Sequence, residues 1–154
     1  MTRINPDDHL ETDAGRVWTP ERNAEAWRRS FQQLERAIAD AGPSARVILV
    51  CGLQGAGKTC WIGSQPKSAG TIYFDAALPR ARHRAPVIDI ARRSGITIEA
   101  VWIDTPLAMA LVRNARRPED QVVPDAAIRS VADQFEPPRT AEGFARVRIV
   151  RTGD

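Results

Sequence analysis

An α/β fold on a small, mostly parallel sheet of about four strands follows from three features of the chain. Apolar runs that read as strands, at 47–51, 71–77, 96–104 and 145–151, alternate with stretches of helical periodicity. The first strong run ends in a glycine-rich turn, Gly52-Leu53-Gln54-Gly55-Ala56-Gly57, with helix-compatible sequence after it. A chain of 154 residues at 43% hydrophobic content can bury one core, so one domain is expected.

In chain order, residues 1–18 are polar and aperiodic, with Asp7, Asp8, Glu11 and Asp13. They read as a loose N-terminal arm ahead of a single domain at 19–154. "TPERNAEAWRRSFQQLERAIADAG" reads as a helix over 19–42. Thr19 caps it, Pro20 suits its first turn, and Gly42 with Pro43 stops it. Trp27, Phe31, Leu34 and Ile38 share one stripe, either a core face or a partner-binding face. After strand 47–51 and the glycine turn, Pro66 keeps the next helix short. "TIYFDAA" is a second strand ending at Asp75, and 85–94 a helix ending at Gly95. "ITIEAVWID" is a third strand, and "PLAMALVRNARR" a helix over 106–117 capped by Asp104 or Thr105. A charged loop leads to a helix from Pro124 to about Phe135. The loop "EPPRTAEGF" places Gly143 in a turn and Phe144 in the core, ahead of the last strand.

The glycine turn has a more specific reading. Gly52, Gly57, Lys58 and Thr59 fit G-x-x-x-x-G-K-[ST] without a mismatch. In such a loop the backbone wraps a polyphosphate with successive N–H groups pointing inward, and the following helix aims its positive end at the same anion. Lys58 reaches the β- and γ-phosphates as a point charge, and the Thr59 hydroxyl ligates magnesium. The expected nucleotide-binding set is Gly52, Gln54, Gly55, Ala56, Gly57, Lys58, Thr59 and Cys60, with ATP as the nucleotide and Mg2+ beside it. Of 22 Lys plus Arg, only Lys58 and Lys67 are lysines, and one of them stands where a compact ammonium is wanted. The fold class sharpens to a P-loop three-layer sandwich with an added N-terminal helix.

Three further features bound the function. Net charge is +3 and the pI about 9.4, compatible with a phosphorylated or nucleic-acid partner without requiring one. Cys51 and Cys60 read as buried thiols in a reducing, cytoplasmic compartment. No signal-like segment or membrane-length apolar run is visible, so no membrane partner is expected. Asp75 ends a strand, and ligands of open α/β sheets bind at the carboxyl ends of strands, so Asp75 is expected to serve magnesium with Thr59. "PRARHRA" concentrates Arg80, Arg82, His83 and Arg84 after Asp75, and Arg80 with Arg84 is expected to meet an anionic acceptor. Arg113 and Arg117 lie four apart on one helical face, with Arg116 beside them.

The ordered pieces "GLQGAGKT", "FDAALPRARHR", "VWIDTPLAMALVRNARR", "VPDAAI", "FEPP" and "EGF" resemble the P-loop kinases of the polynucleotide kinase and zeta-toxin group, also described as AAA-type. The resemblance covers roughly residues 46 to 150. It implies an ATP-dependent phosphotransferase with Lys58, Asp75, Arg113 and Arg117 as catalytic residues, and with 106–135 as a basic lid. The acceptor would be a hydroxyl, with a polynucleotide 5′ end among the candidates. In that group a strand directly after the loop helix carries the aspartate that takes the acceptor's proton. Only 15 residues separate Thr59 from Asp75, so that strand is absent here. The alternative function is an ATP-binding module or slow ATPase whose nucleotide state controls a partner through the N-terminal helix.

Overall fold

Alternation along the strands divides the core into two halves. The structure, a computed structural model, describes residues 1–153. Its strands are β1 (Thr2–Ile4), β2 (Glu11–Thr12), β3 (Gly15–Arg16), β4 (Arg46–Cys51), β5 (Thr71–Asp75), β6 (Ile98–Asp104) and β7 (Val147–Arg151). Its helices are α1 (Pro20–Ala41), α2 (Lys58–Ser64), α3 (Ala81–Arg93), α4 (Leu107–Ala115) and α5 (Asp125–Gln134). On β4, Val47, Leu49 and Cys51 join one buried cluster with Phe74, Leu34, Ile38 and Val87. Ile48 and Val50 join the other with Tyr73, Val101, Ile62, Ala110 and Ile128. The period-2 pattern of a strand thus meets α1 and α3 on one face and α2, α4 and α5 on the other. The result is the expected three-layer α/β sandwich.

The main sheet has the order β1-β5-β4-β6-β7, with every neighbouring pair parallel. β2 and β3 form a small separate antiparallel ribbon. The main sheet has five strands where about four are expected, because the N-terminal segment is not a loose arm. Thr2, Arg3 and Ile4 pair with Ile72, Tyr73 and Phe74, and Ile4 is fully buried. Ile4 and a row of ladder hydrogen bonds hold β1, and the buried Pro6 and Leu10 seat the residues after it against α1.

Most helix ends follow their local chemistry. Thr19 Oγ1 accepts from the Arg22 N–H at 3.0 Å, and α1 stops at Gly42 with φ 61°. Trp27 and Phe31 tile over Phe74, with ring centroids 6.0 and 6.1 Å from it, so the aromatic part of the α1 stripe is core packing. α3 begins at Ala81, four residues earlier than the periodicity suggests. Arg80 donates its N–H to His83 Nδ1 and starts the helix, and Pro86 is carried inside it. α4 is capped by neither Asp104 nor Thr105. Pro106 is its N-cap residue, and the Thr105 hydroxyl donates instead to the Ala56 carbonyl at 3.0 Å. No helix among the described residues is long and apolar enough to cross a membrane.

Candidate functional site

The phosphate loop is wedged between β6 and α4, and two of its glycines are forced by that position. At Gly52, φ 148°, a Cβ would stand 2.6 Å from the Ile103 carbonyl oxygen. At Gly55, φ 80°, it would stand 2.5 Å from the Ala110 carbonyl oxygen. Any side chain at either place would push the loop off its supports. The Ala56 carbonyl accepts from Thr105 Oγ1 at 3.0 Å and Arg113 Nη1 at 3.1 Å. The Gly52 N–H donates to the Ala77 carbonyl at 3.2 Å. α2 opens on Gly57 with no side-chain cap, so no capping side chain competes for the N–H groups of its first turn. Lys58 Nζ donates to the carbonyls of Gly52 and Leu53 at 3.0 and 2.8 Å. Burial lowers the pKa of this ammonium. The negative fields of Asp75 and Asp7 oppose that shift, and Arg117 adds to it. Gln54 Oε1 is buried without a partner among the described residues.

Asp75 sits at the carboxyl end of β5 and is 1% exposed. Its Oδ2 accepts from Thr59 Oγ1 at 2.7 Å and from Arg3 Nη1 at 3.3 Å. Its Oδ1 is buried with no partner among the described residues. These atoms fit magnesium in one particular way. Among the described residues no three His, Cys, Asp or Glu side chains gather to cage a metal. Magnesium on a nucleotide needs only one or two protein oxygens, with phosphate oxygens and water completing its shell. The Thr59 hydroxyl and the Asp75 carboxylate, already in contact, are suited to that.

The two arginines at the end of α4 are placed differently. Arg113 lies in the last turn of α4 and is spent on the Ala56 carbonyl, 3.1 Å away. Arg117 follows the helix and is partly buried. Burial lowers its pKa, the charge of Arg16 adds to that, and Asp7 and Asp75 oppose it. Arg116 beside it is exposed. The chain between α4 and α5 is held by Asn114, which is fully buried. Its amide donates to the Val123 carbonyl at 2.6 Å and accepts from the Val123 N–H at 3.0 Å. Nothing in the sequence announces Asn114, because a buried asparagine has no periodic signature, and Thr105, expected to cap α4, holds the glycine loop instead.

The basic stretch after Asp75 differs from expectation at one residue. Arg84 does not face an acceptor. It is 0% exposed and donates from Nε and Nη2 to the two Glu142 oxygens at 2.8 and 3.0 Å, and from Nη1 to the Leu78 carbonyl at 2.8 Å. Leu78 has φ 45°, unusual for a residue with a branched side chain, and Arg84 holds it there. Arg82 is exposed, and Arg80 is partly buried with its Nε unpartnered among the described residues. His83 is shifted below the usual imidazole range by burial and by Arg82, Arg80 and Arg84. Cys51 is buried, and its thiol is pushed up to about 12, chiefly by burial. Cys60, expected to be buried, is exposed on the first turn of α2.

The N-terminal segment adds residues that no motif announced. Arg3 bridges Asp75 and Asp8, at 3.3 and 3.1 Å. Arg16 meets Glu11 at 3.1 Å and Asp7 at 3.6 Å. The Arg16 N–H donates to Asp120 Oδ2 at 2.8 Å, tying the β2–β3 ribbon to the lid. The available signals were Ile4 and Leu10, isolated apolar residues in a polar stretch, both of them buried.

Comparison with known proteins gives a partial match. A profile of the AAA domain matches residues 65–138, a span just short of half the chain that begins after the phosphate loop. Among curated proteins, none matches the chain significantly. Solved structures with a similar arrangement include a chain of the AvrRxo1-ORF1:AvrRxo1-ORF2 complex with sulphate ions, at 16% identity and TM-score 0.47. The same complex with ATP gives 17% and 0.46, and its native form 16% and 0.47. The first two alignments cover 77% of this chain and 56% of the other, and the third covers 95% and 67%. The protein thus spans just over half the length of the first two chains it resembles.

Proposed function

We propose that the protein binds ATP and transfers its γ-phosphate to a hydroxyl acceptor. The observation that carries this reading is the contact between Thr59 Oγ1 and Asp75 Oδ2, 2.7 Å, beside a phosphate loop whose lysine points back into it. The loop backbone and Lys58 cradle the β- and γ-phosphates. Thr59 and Asp75 hold magnesium, which supplies charge neutralisation on the phosphate oxygens when bound. Arg117 stabilises charge that develops on the transferred phosphoryl group, while Arg113 fixes the loop through the Ala56 carbonyl. Arg82 and Arg80 remain the cations on the acceptor side, which favours an acceptor carrying negative charge, such as a polynucleotide 5′ end. The two free cysteines support a reducing, cytoplasmic setting.

The test is to follow γ-labelled Mg-ATP in the presence of 5′-hydroxyl oligonucleotides, nucleosides, or water alone. Label on one acceptor class, lost in Lys58→Ala with circular dichroism unchanged, is the expected result. Release of phosphate to water only, at the same rate with every acceptor, would replace the transferase by an ATPase. Binding and turnover that survive Lys58→Ala would dispose of the nucleotide site itself.

A further inference from the structure

β1 lies parallel beside β5, with Ile4 opposite Phe74, so the chain leaves the sheet at Asn5 next to Asp75. Everything from Asn5 to Arg16 therefore starts at the carboxyl ends of the strands, the end that carries the phosphate loop. The segment is pinned at both sides of the site. Arg3 ties it to Asp75, and the Arg16 N–H ties it to Asp120 of the lid. It forms a wall on the side of β5 away from β4.

The carboxylates on this wall are not equivalent. Asp8 accepts from Arg3 at 3.1 Å, Glu11 from Arg16 Nε at 3.1 Å, and Asp120 from the Arg16 N–H at 2.8 Å. The Asp7 carboxylate takes no hydrogen bond from any described residue. Its ion partner, Arg16, stands 3.6 Å away, and its side chain is 50% exposed. Asp75 cannot serve the same end, because it is buried and its Oδ2 is already shared by Thr59 and Arg3. The unpartnered Oδ1 of Asp75 independently marks this end of β5 as a place built for a ligand.

We propose that the N-terminal segment is the acceptor-side wall of the site and that the Asp7 carboxylate takes the proton of the acceptor hydroxyl. The inference rests on the phosphotransfer reading. Arg3 is shared by Asp75 and by Asp8, the residue next to Asp7, and Arg16 is shared by Asp7 and Asp120, so the carboxylate is held between the end of β5 and the chain that follows α4; its negative field extends to Lys58 and Arg117 as well. In the step, the acceptor oxygen forms a bond to the γ-phosphorus. Its proton passes to Asp7. The bond from the γ-phosphorus to the β,γ-bridging oxygen breaks, and its electron pair leaves on ADP. The products are the phosphorylated acceptor and ADP, with the proton on Asp7 returned to water.

The experiment compares the parent protein with Asp7→Asn, Asp7→Glu and, as a control on the exposed tip of the ribbon, Asp13→Asn. Nucleotide affinity, label transfer to the acceptor, and transfer against pH are each measured. Asp7→Asn is expected to leave the Kd for Mg-ATP within about two-fold and to lower kcat for transfer by about 10²–10⁴-fold, the range of a general base. The acid limb of the pH profile should vanish with it, Asp7→Glu should restore part of the rate, and Asp13→Asn should match the parent. If the parent transfers no phosphate to any hydroxyl, the phosphotransfer reading falls and this inference with it. If the parent transfers phosphate and Asp7→Asn does so equally well, only the role of Asp7 is overturned. Tighter ATP binding with faster transfer in Asp7→Asn would also overturn it, because Asp7 would then be a competitor of the phosphates. A variant that unfolds is read through Asp7→Glu, whose failure to transfer more than Asp7→Asn would equally refute the proposal.

Discussion

Replacing Arg84 by alanine should damage the fold and leave acceptor recognition alone. The side chain is fully buried, and each of its three nitrogens donates, two to Glu142 and one to the Leu78 carbonyl. The variant strands the Glu142 carboxylate, 14% exposed, without its counter-charge, and leaves the Leu78 carbonyl unpaired. Removing one partner of a buried ion pair costs about 3–5 kcal/mol. Water reaches Glu142 at its rim, so the lower end, about 3 kcal/mol, applies. Against a total stability of about 5–15 kcal/mol, that is a large share. At about 2–4 °C per kcal/mol for a chain of this size, the melting temperature should fall by roughly 6–12 °C. Thermal unfolding followed by circular dichroism measures it. The double variant Arg84→Met/Glu142→Gln should recover a good part of the loss. It removes both charges, and glutamine keeps an oxygen for the Arg139 N–H that Glu142 now accepts at 2.8 Å. An unchanged melting temperature, together with loss of acceptor affinity or of its salt dependence, would show that the guanidinium reaches the ligand and would refute the reasoning.

Three other outcomes follow from the same geometry. Asp75→Asn should reduce magnesium-dependent turnover far more than metal-free nucleotide binding, because the amide keeps the shape and loses the charge that Thr59 and Arg3 share; equal turnover would send the search to Asp104. Arg117→Ala should lower kcat by about 10²-fold with little change in ATP affinity, whereas Arg113→Ala should weaken binding by freeing the Ala56 carbonyl; identical kinetic signatures in the two variants would remove the distinction. A thiol reagent at neutral pH should modify Cys60 and spare Cys51, whose thiol is held at about 12, and Mg-ATP should slow the modification; rapid labelling of both cysteines would contradict their placement.

What could be read from the sequence was whatever local chemistry controls. The glycine spacing gave the loop, the alternation in "VILVC" gave β4 with its two buried faces, and Thr19 and Gly42 gave the two ends of α1. Asp75 could be placed at the end of β5 because the apolar run "TIYF" stops there. What escaped depended on contacts distant in sequence. Arg84 looks like its exposed neighbour Arg82 until Glu142, 58 residues away, is seen to meet it. Arg113 and Arg117 share one helical face in the sequence, yet α4 ends at Ala115, and past that end the two side chains go separate ways. β1 escaped because three residues with one buried side chain carry no periodic signal. Their strand character comes from the exposed edge of β5.

The position of β1 also sets an order for folding. Thr2 pairs with Ile72, so the edge of the sheet closes only after a loop of nearly the full distance between them is drawn together. Such closure carries an entropic cost that local helices such as α1 do not face, and three residues of ladder return little against it. β4, β5 and β6 can assemble first, as a core with the phosphate loop already shaped, while the N-terminal residues remain unattached. The last stretch of chain to settle is then the one made first, and the side of the site beside Asp75 is the least protected against opening. Amide exchange should report this directly: the N–H groups of Arg3 and Ile4 should exchange well ahead of those of Leu49 and Val101.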